Sequence, residues 1–300
     1  MGTRLYQMIK KAFIYIWLVT GLTVLLSGCV GLQEAQRSSA SIGFNPVIGH
    51  DTRAVESVPL PLDCTFNVWA VQASSRELYI DNETISYNNG WTSTKIWPFD
   101  KLMFEAYSPS SLKPEFTPET GLTINDFDCS EGNMDILIAK RDFEFQDVDS
   151  LVTLPFEHVL SRVEFRIHQS ISSQMAVKVK KIKLSGFATK GTYNSRSDIP
   201  WTVKNNEEYR VAFENEEGVE ITSDVIYLGE EFYTIPQNFH ARVEVEFDVR
   251  YGGATWIPQT EVLEKVEMSW EPNTHYTYTL TLTMGKMKIH PGISNMNNRV

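Results

Sequence analysis

The sequence predicts an all-β protein built as two tandem sandwiches. Three observations carry this. Apolar and polar residues alternate with a period of two through most of the chain, turn-forming residues separate the alternating runs, and no stretch holds a helical period for three turns. One sandwich takes about 100 residues, and the 247 residues from Ala54 to Val300 provide for two.

The first residues are set apart from the fold. Arg4, Lys10 and Lys11 form a basic start, and Ala12 to Leu26 is an apolar run of 15 residues, short of the roughly 20 that span a bilayer. The run ends in Leu26-Ser27-Gly28-Cys29, which resembles the lipobox of bacterial lipoproteins. Residues 1–28 are therefore expected to be a signal peptide, cut between Gly28 and Cys29, with lipid on the Cys29 thiol anchoring the chain to the outer membrane. Each buried CH₂ of such a lipid contributes about 0.8 kcal/mol, so two or three acyl chains hold a protein firmly. Loss of this segment, which has three bases and no acid, takes the net charge from -11 to -14 and leaves 272 residues.

Residues 29–53 read as a tether followed by one strand. The stretch from Val30 to Ser41 is small and polar, and Ile42, Phe44 and Val47 then mark a short apolar run. Residues 54–155 form the expected first sandwich, with Phe66, Val68 and Ala70 on one strand face and Leu102, Phe104 and Ala106 on another. Residues 156–287 form the second. There Val163 to His168, Val243 to Tyr251 and Tyr276 to Met284 alternate cleanly, and Val177 to Leu184 alternates with a slip at Lys180-Lys181. Asn88-Asn89-Gly90, Gly121, Gly132, Gly218, Gly252-Gly253 and Pro272-Asn273 supply the turns. Residues 288–300 remain as a tail, where Pro291, Gly292 and Asn295 to Asn298 interrupt the alternation.

Composition removes several function classes. The net charge of -11 argues against nucleic acid as a partner. No nucleophile elbow, phosphate-binding glycine loop or paired-histidine zinc motif occurs, so neither an enzyme nor a cofactor is expected. The six His stand singly, and His158 reads as a hydrogen-bonded structural residue. Asp126-Phe127-Asp128 reads as a solvated loop, since the rest of a calcium loop is missing. By parity Cys64 faces inward, whereas Cys129 falls in a polar loop. Two free thiols are expected, a bridge being the alternative. Lys178, Lys180, Lys181 and Lys183 read as a solvated strand face that discourages edge pairing.

An ordered set of phrases resembles a family. It begins with Ile42-Gly43-Phe44 and Thr52-Arg53-Ala54, then Trp97-Pro98 and Leu102 to Pro109. Leu154-Pro155-Phe156-Glu157-His158 to Arg162 follows, then Ile235-Pro236-Gln237, and Trp270-Glu271-Pro272-Asn273 to Tyr278. Together they are similar to the fimbrillin-like (Mfa-like) lipoproteins, subunits of type V pili. The resemblance implies two transthyretin-like Greek-key sandwiches, no catalysis, and a role in cell adhesion at the surface. It further implies a surface Arg-specific protease cutting between Arg53 and Ala54. The strand with Ile42, Phe44 and Val47 would leave, and a strand from another pilus subunit would fill its place by donor-strand exchange. The remaining partners implied are a host protein or a glycan.

The interrupted tail is a poor donor strand, which favours a tip or accessory position over the stalk. Trp91, Trp97, Trp201, Trp256 and Trp270 support an alternative: a glycan-binding surface lipoprotein that keeps its first strand and does not polymerise.

Overall fold

The computed structural model describes residues 40–49, 57–146, 149–171, 174–204, 208–284 and 286–296. Among these residues there are twenty β-strands and no α-helix. The first half holds β1 (Ser41–Ile48), β2 (Val58–Pro59), β3 (Thr65–Gln72), β4 (Leu78–Ser86), β5 (Trp91–Ile96), β6 (Leu102–Ser108), β7 (Glu115–Thr117), β8 (Gly121–Asp128), β9 (Leu137–Phe143) and β10 (Leu151–His158). The second holds β11 (Ser161–Ser170), β12 (Met175–Phe187), β13 (Lys190–Asn194), β14 (Trp201–Val203), β15 (Glu208–Ile221), β16 (Ile226–Thr234), β17 (Asn238–Tyr251), β18 (Ile257–Ser269), β19 (Thr274–Thr283) and β20 (Lys286–Asn295).

The first sandwich is one curled sheet in the order β2-β1-β10-β9-β6-β3-β4, with β5 also on β1. It folds back so that Ile42, Phe44, Val152, Leu154 and Phe156 meet Phe66, Val68, Phe104 and Ala106 in one core. The second sandwich stacks β16-β11-β19-β20 on β15-β12-β17-β18. Its core takes Val163, Phe165 and Ile167, then Val243 and Val245, then Tyr276, Tyr278, Leu280 and Leu282, alternate residues of the runs the sequence marked. The slip at Lys180-Lys181 is a bulge, where the ladders of β12 with both β15 and β17 shift register.

A third, small sheet has the order β14-β13-β8-β7 and joins the two halves. β8 comes from the first half and β13 from the second, paired antiparallel. Its core brings Trp69, Tyr107 and Ile138 together with Val159, Leu160 and Trp201.

This sheet corrects two local readings. Asp126-Phe127-Asp128 lies in β8, not in a loop, with Phe127 buried. Cys129 does lie in the loop that follows β8, but its side chain turns inward and is buried in the same core. Gly218 also departs from expectation. It is inside β15 with a φ of 74°, a bulge position suited to glycine, and not a turn between strands. Leu154 to His158 is strand, the second half of β10, which leads directly through Val159 and Leu160 into β11.

Candidate functional site

β1 enters the first sandwich as an internal strand. On one side it runs parallel to β10, with Gly43 to Ile48 in register with Leu151 to Phe156. On the other its neighbour changes: β5 pairs with Ser41, Gly43 and Phe44, and β2 with Val47 and Ile48. Pro46, which has no N–H to donate, stands at that change of partner. Its carbonyl accepts from Leu60 N–H at 3.0 Å, Ala40 O accepts from Trp97 N–H at 3.0 Å, and Gly49 N–H donates to Phe156 O at 2.8 Å. A strand so bonded on both sides satisfies backbone groups that would otherwise be buried unpaired.

The side chains of β1 complete the core. Ile42 is 0% exposed and Phe44 2%. The Phe44 ring meets those of Phe66 and Phe104 nearly edge-on, with centroids 5.7 and 5.8 Å away. Val47 is buried too, but parity puts it on the opposite face. After Phe44 the inward face continues with Pro46, buried, and Ile48, half-buried against the same core. Parity counted from Phe44 is the signal that finds both. Gly43 lies close to β10, since a Cβ there would meet Leu151 Cδ2 at 2.6 Å.

Gly28, Cys29, Arg53 and Ala54 lie outside the described residues. In the sequence, Arg53 and Ala54 fall within residues 50–56, the stretch that joins β1 to β2. Loss of β1 would uncover the β10 ladder on one side, β2 and β5 on the other, and Phe66, Trp91 and Phe104 between them. Such a slot accepts an extended chain, by main-chain pairing and by pockets for alternate side chains.

Other chemistry resolves into structure. His158 Nδ1 is bonded to Asp135 Oδ2 at 2.6 Å. Glu164, Glu231 and His275 place ligand atoms within 4.8 Å of one another. However, Arg166 Nη2 donates to Glu164 Oε1 at 3.1 Å, and Arg162 Nη1 lies 3.5 Å from Glu231 Oε1. The two guanidinium groups already supply the positive charge, so this is an ion network that does not fit a metal.

Trp91, Trp97, Trp201 and Trp270 are buried. Trp256 lies beneath the Arg250 guanidinium at 4.4 Å and the Lys178 ammonium at 5.1 Å. A cleft of about 740 Å³ at the joint is walled by Ile199, Pro200, Pro236 and Pro272. Trp201 and Trp270 border it, but their indole N–H groups are committed inward, to Val159 O at 2.7 Å and Tyr278 Oη at 3.0 Å. The five Trp thus build core and rim, and none stands out as a sugar platform. Cys64 and Cys129 are free thiols, and burial pushes both up from the ordinary thiol range.

A family model described as fimbrillin-like matches residues 52–295. A sequence comparison with curated proteins finds no match. Among solved structures, a fimbrial protein from Bacteroides vulgatus aligns over 85% of this chain and 99% of its own at a TM-score of 0.63 and 16% identity. A candidate cell adhesion protein from Parabacteroides distasonis aligns over 87% and 97%, at 0.58 and 10%. Another from Bacteroides uniformis aligns over 87% and 100%, at 0.54 and 14%. At these identities the likeness is one of fold.

Proposed function

This chain belongs to the fimbrillin-like family, and from that premise we propose that it is a non-enzymatic structural subunit of a surface fimbria that serves adhesion. In this reading the precursor is cut between Gly28 and Cys29 and held in the outer membrane by lipid on Cys29. An Arg-specific surface protease then cuts between Arg53 and Ala54. The strand bearing Ile42, Phe44 and Val47 leaves, and a strand from a neighbouring subunit takes its place.

One observation carries the reading. β1 is internal to the sheet, yet its covalent link to the rest of the sandwich is the short stretch that contains Arg53. A permanent first strand would serve equally well at an edge. An internal strand behind a cleavable link is a removable part. If about four inward side chains are buried again on exchange, at roughly 2 kcal/mol each, a joint gains on the order of 8 kcal/mol. That is enough for a polymer without covalent links. The glycan-binding alternative has no comparable support, because four of its five Trp are buried and the ring of the fifth, Trp256, is covered by Arg250 and Lys178.

The test is an Arg53→Ala chain beside the unaltered one, both exposed to a trypsin-like protease. Only the unaltered chain should gain an Ala54 N-terminus and run as a ladder of oligomers in unheated detergent gels. Equal ladders from both, or none from either, would reject cleavage at Arg53 as the trigger.

A further inference from the structure

Strand directions fix which loops of the first sandwich share an end. β10 runs toward the joint and β1 runs parallel to it, so Ser41 and Leu151 lie at the far end. β9 is antiparallel to β10, β6 to β9, β3 to β6 and β4 to β3, which brings Phe143, Leu102, Gln72 and Leu78 to the same end. Ile96, opposite Ser41, is there too. This far rim also holds Ala40, where the chain enters β1.

Four large apolar side chains are exposed on the rim: Leu78, Ile96, Phe99 and Leu151. Phe99, in the turn after β5, is 68% exposed, and Leu151 is 54% exposed. β1 holds two of them together. Ser41 pairs with Ile96 on one side, and Gly43 pairs with Leu151 on the other. Both positions share the face of β1 turned away from the core. Gly43 adds no side chain to separate them, and a Cβ there would meet Leu151 Cδ2 at 2.6 Å. Tyr79 Oη donates to Ile96 O at 2.7 Å, which ties the start of β4, with Leu78, to the end of β5. Charge does not favour an anionic partner. Arg76 and Lys101 in two of the rim turns are matched by Glu77 and Asp100, and residues 144–150 add only acids. What fits the rim is an apolar, uncharged surface.

The occupant follows from where the chain enters. Ten residues separate Cys29 from Ala40. A chain of that length reaches at most about 40 Å, so lipid on Cys29 keeps the rim within that distance of the bilayer whatever path the chain takes. A second contact then forms within one molecule, at the high effective concentration that a short link provides. Stable anchoring commonly takes two such signals. Resting on the reading that Cys29 carries lipid, we infer that the far rim is a membrane-contact face, through which Leu78, Ile96, Phe99 and Leu151 of the uncut precursor enter the headgroup layer.

This contact orients the precursor. The eight residues of β1, at about 3.3 Å each, lead about 25 Å away from the rim. The link that contains Arg53 follows Gly49 and so starts on the side away from the bilayer, within reach of a protease in solution. Once β1 and its lipid part from the sandwich, the rim contact alone is reversible, and the subunit is free to leave the surface.

The test places the full, uncut, lipidated chain in phosphatidylcholine vesicles that contain a lipid with a photoactivatable headgroup. Peptide mass mapping should find at least tenfold more lipid adduct on peptides with Ile96, Phe99 and Leu151 than on those with Leu62 and Tyr87, which are exposed at the opposite end. Phe99→Asp/Leu151→Asp, altered only at exposed positions, should keep the melting temperature and lower the rim adducts at least tenfold. Equal labelling of both ends, rim labelling that survives the double variant, or labelling that rises with anionic lipid would overturn the membrane face and leave the lipid anchor standing. So would a rim covered by a second copy, seen as a dimer in sedimentation that the double variant dissolves. If intact mass finds no lipid on Cys29, anchor and face fall together.

Discussion

Arg196 clamps Glu105 across the joint between the sandwiches, its Nε and Nη2 donating to Oε1 at 3.0 and 2.9 Å. Ser195 Oγ and Leu122 N–H donate to the other oxygen at 2.7 and 3.1 Å. Glu105 belongs to β6 and Arg196 to the turn between β13 and β14, so the pair ties the first sandwich to the small joining sheet. Glu105 is buried and Arg196 reaches solvent, so removal of the carboxylate leaves chiefly the Leu122 N–H and the Ser195 hydroxyl unpaired in the interior. Glu105→Ala should destabilise the chain by about 2–3 kcal/mol in urea unfolding. A loss under about 1 kcal/mol would show that the joint does not depend on the pair.

Phe44→Ala separates the two lives of β1. In the uncut chain it empties the space between Phe66 and Phe104 and should cost about 3–5 kcal/mol. On the proposed reading β1 is absent from assembled, cut material, so there the variant and the unaltered chain should melt together. A persistent difference after assembly would mean that β1 stays.

Alkaline stability should follow Tyr278. Burial pushes its hydroxyl up to about 12, opposed by the hydrogen bond from Trp270 Nε1. The unfolded hydroxyl ionises near 10, so the unfolded state releases the proton first. Stability is full below about pH 10 and falls as pH rises toward about 12. Burial also raises Tyr193, with Glu105 and Glu157 adding to the effect. Tyr278→Phe should cost about 1–2 kcal/mol at neutral pH, by leaving the Trp270 N–H unpaired, and should flatten the alkaline decline in a pH series of urea midpoints.

The two sandwich thiols should react unequally. Cys64 is half-buried at the rim of the first core, whereas Cys129 is enclosed beneath the joining sheet, 3.8 Å from Thr234 Oγ1. Alkylation read by peptide mass should label Cys64 at least tenfold faster in the folded chain, with the rates converging in denaturant.

What the sequence made legible was whatever depends on neighbours along the chain. Tyr276 to Thr283 announces itself because one face meets a core, and the slip at Lys180-Lys181 is visible as a break in parity. The joining sheet was not legible, because β8 pairs locally with β7 only as far as Thr123, and Ile124 to Asp128 acquire their partner only when Lys190 to Asn194 arrives from the other half. Asp126 and Asp128 therefore looked like loop residues, and Cys129 looked exposed. Nor does anything near Glu105 in sequence announce a cation that lies 91 positions away. In the slot, Ile42 and Phe44 were readable from alternation. Val47 is as apolar as its neighbours and is buried too, but parity sets it on the opposite face and turns Ile48 inward. Pro291 looked like an interruption because an outer strand's tolerance of proline depends on which strand is outermost, and local pattern does not contain that.

The intact mass of the chain in fimbriae sheared from the cell surface bears most directly on the claim that β1 is removable. A 247-residue chain that begins at Ala54, with no peptide from Ser41 to Ile48 in the digest, is the expected result. Polymerised chains that still begin at a lipidated Cys29 and still yield that peptide would contradict it.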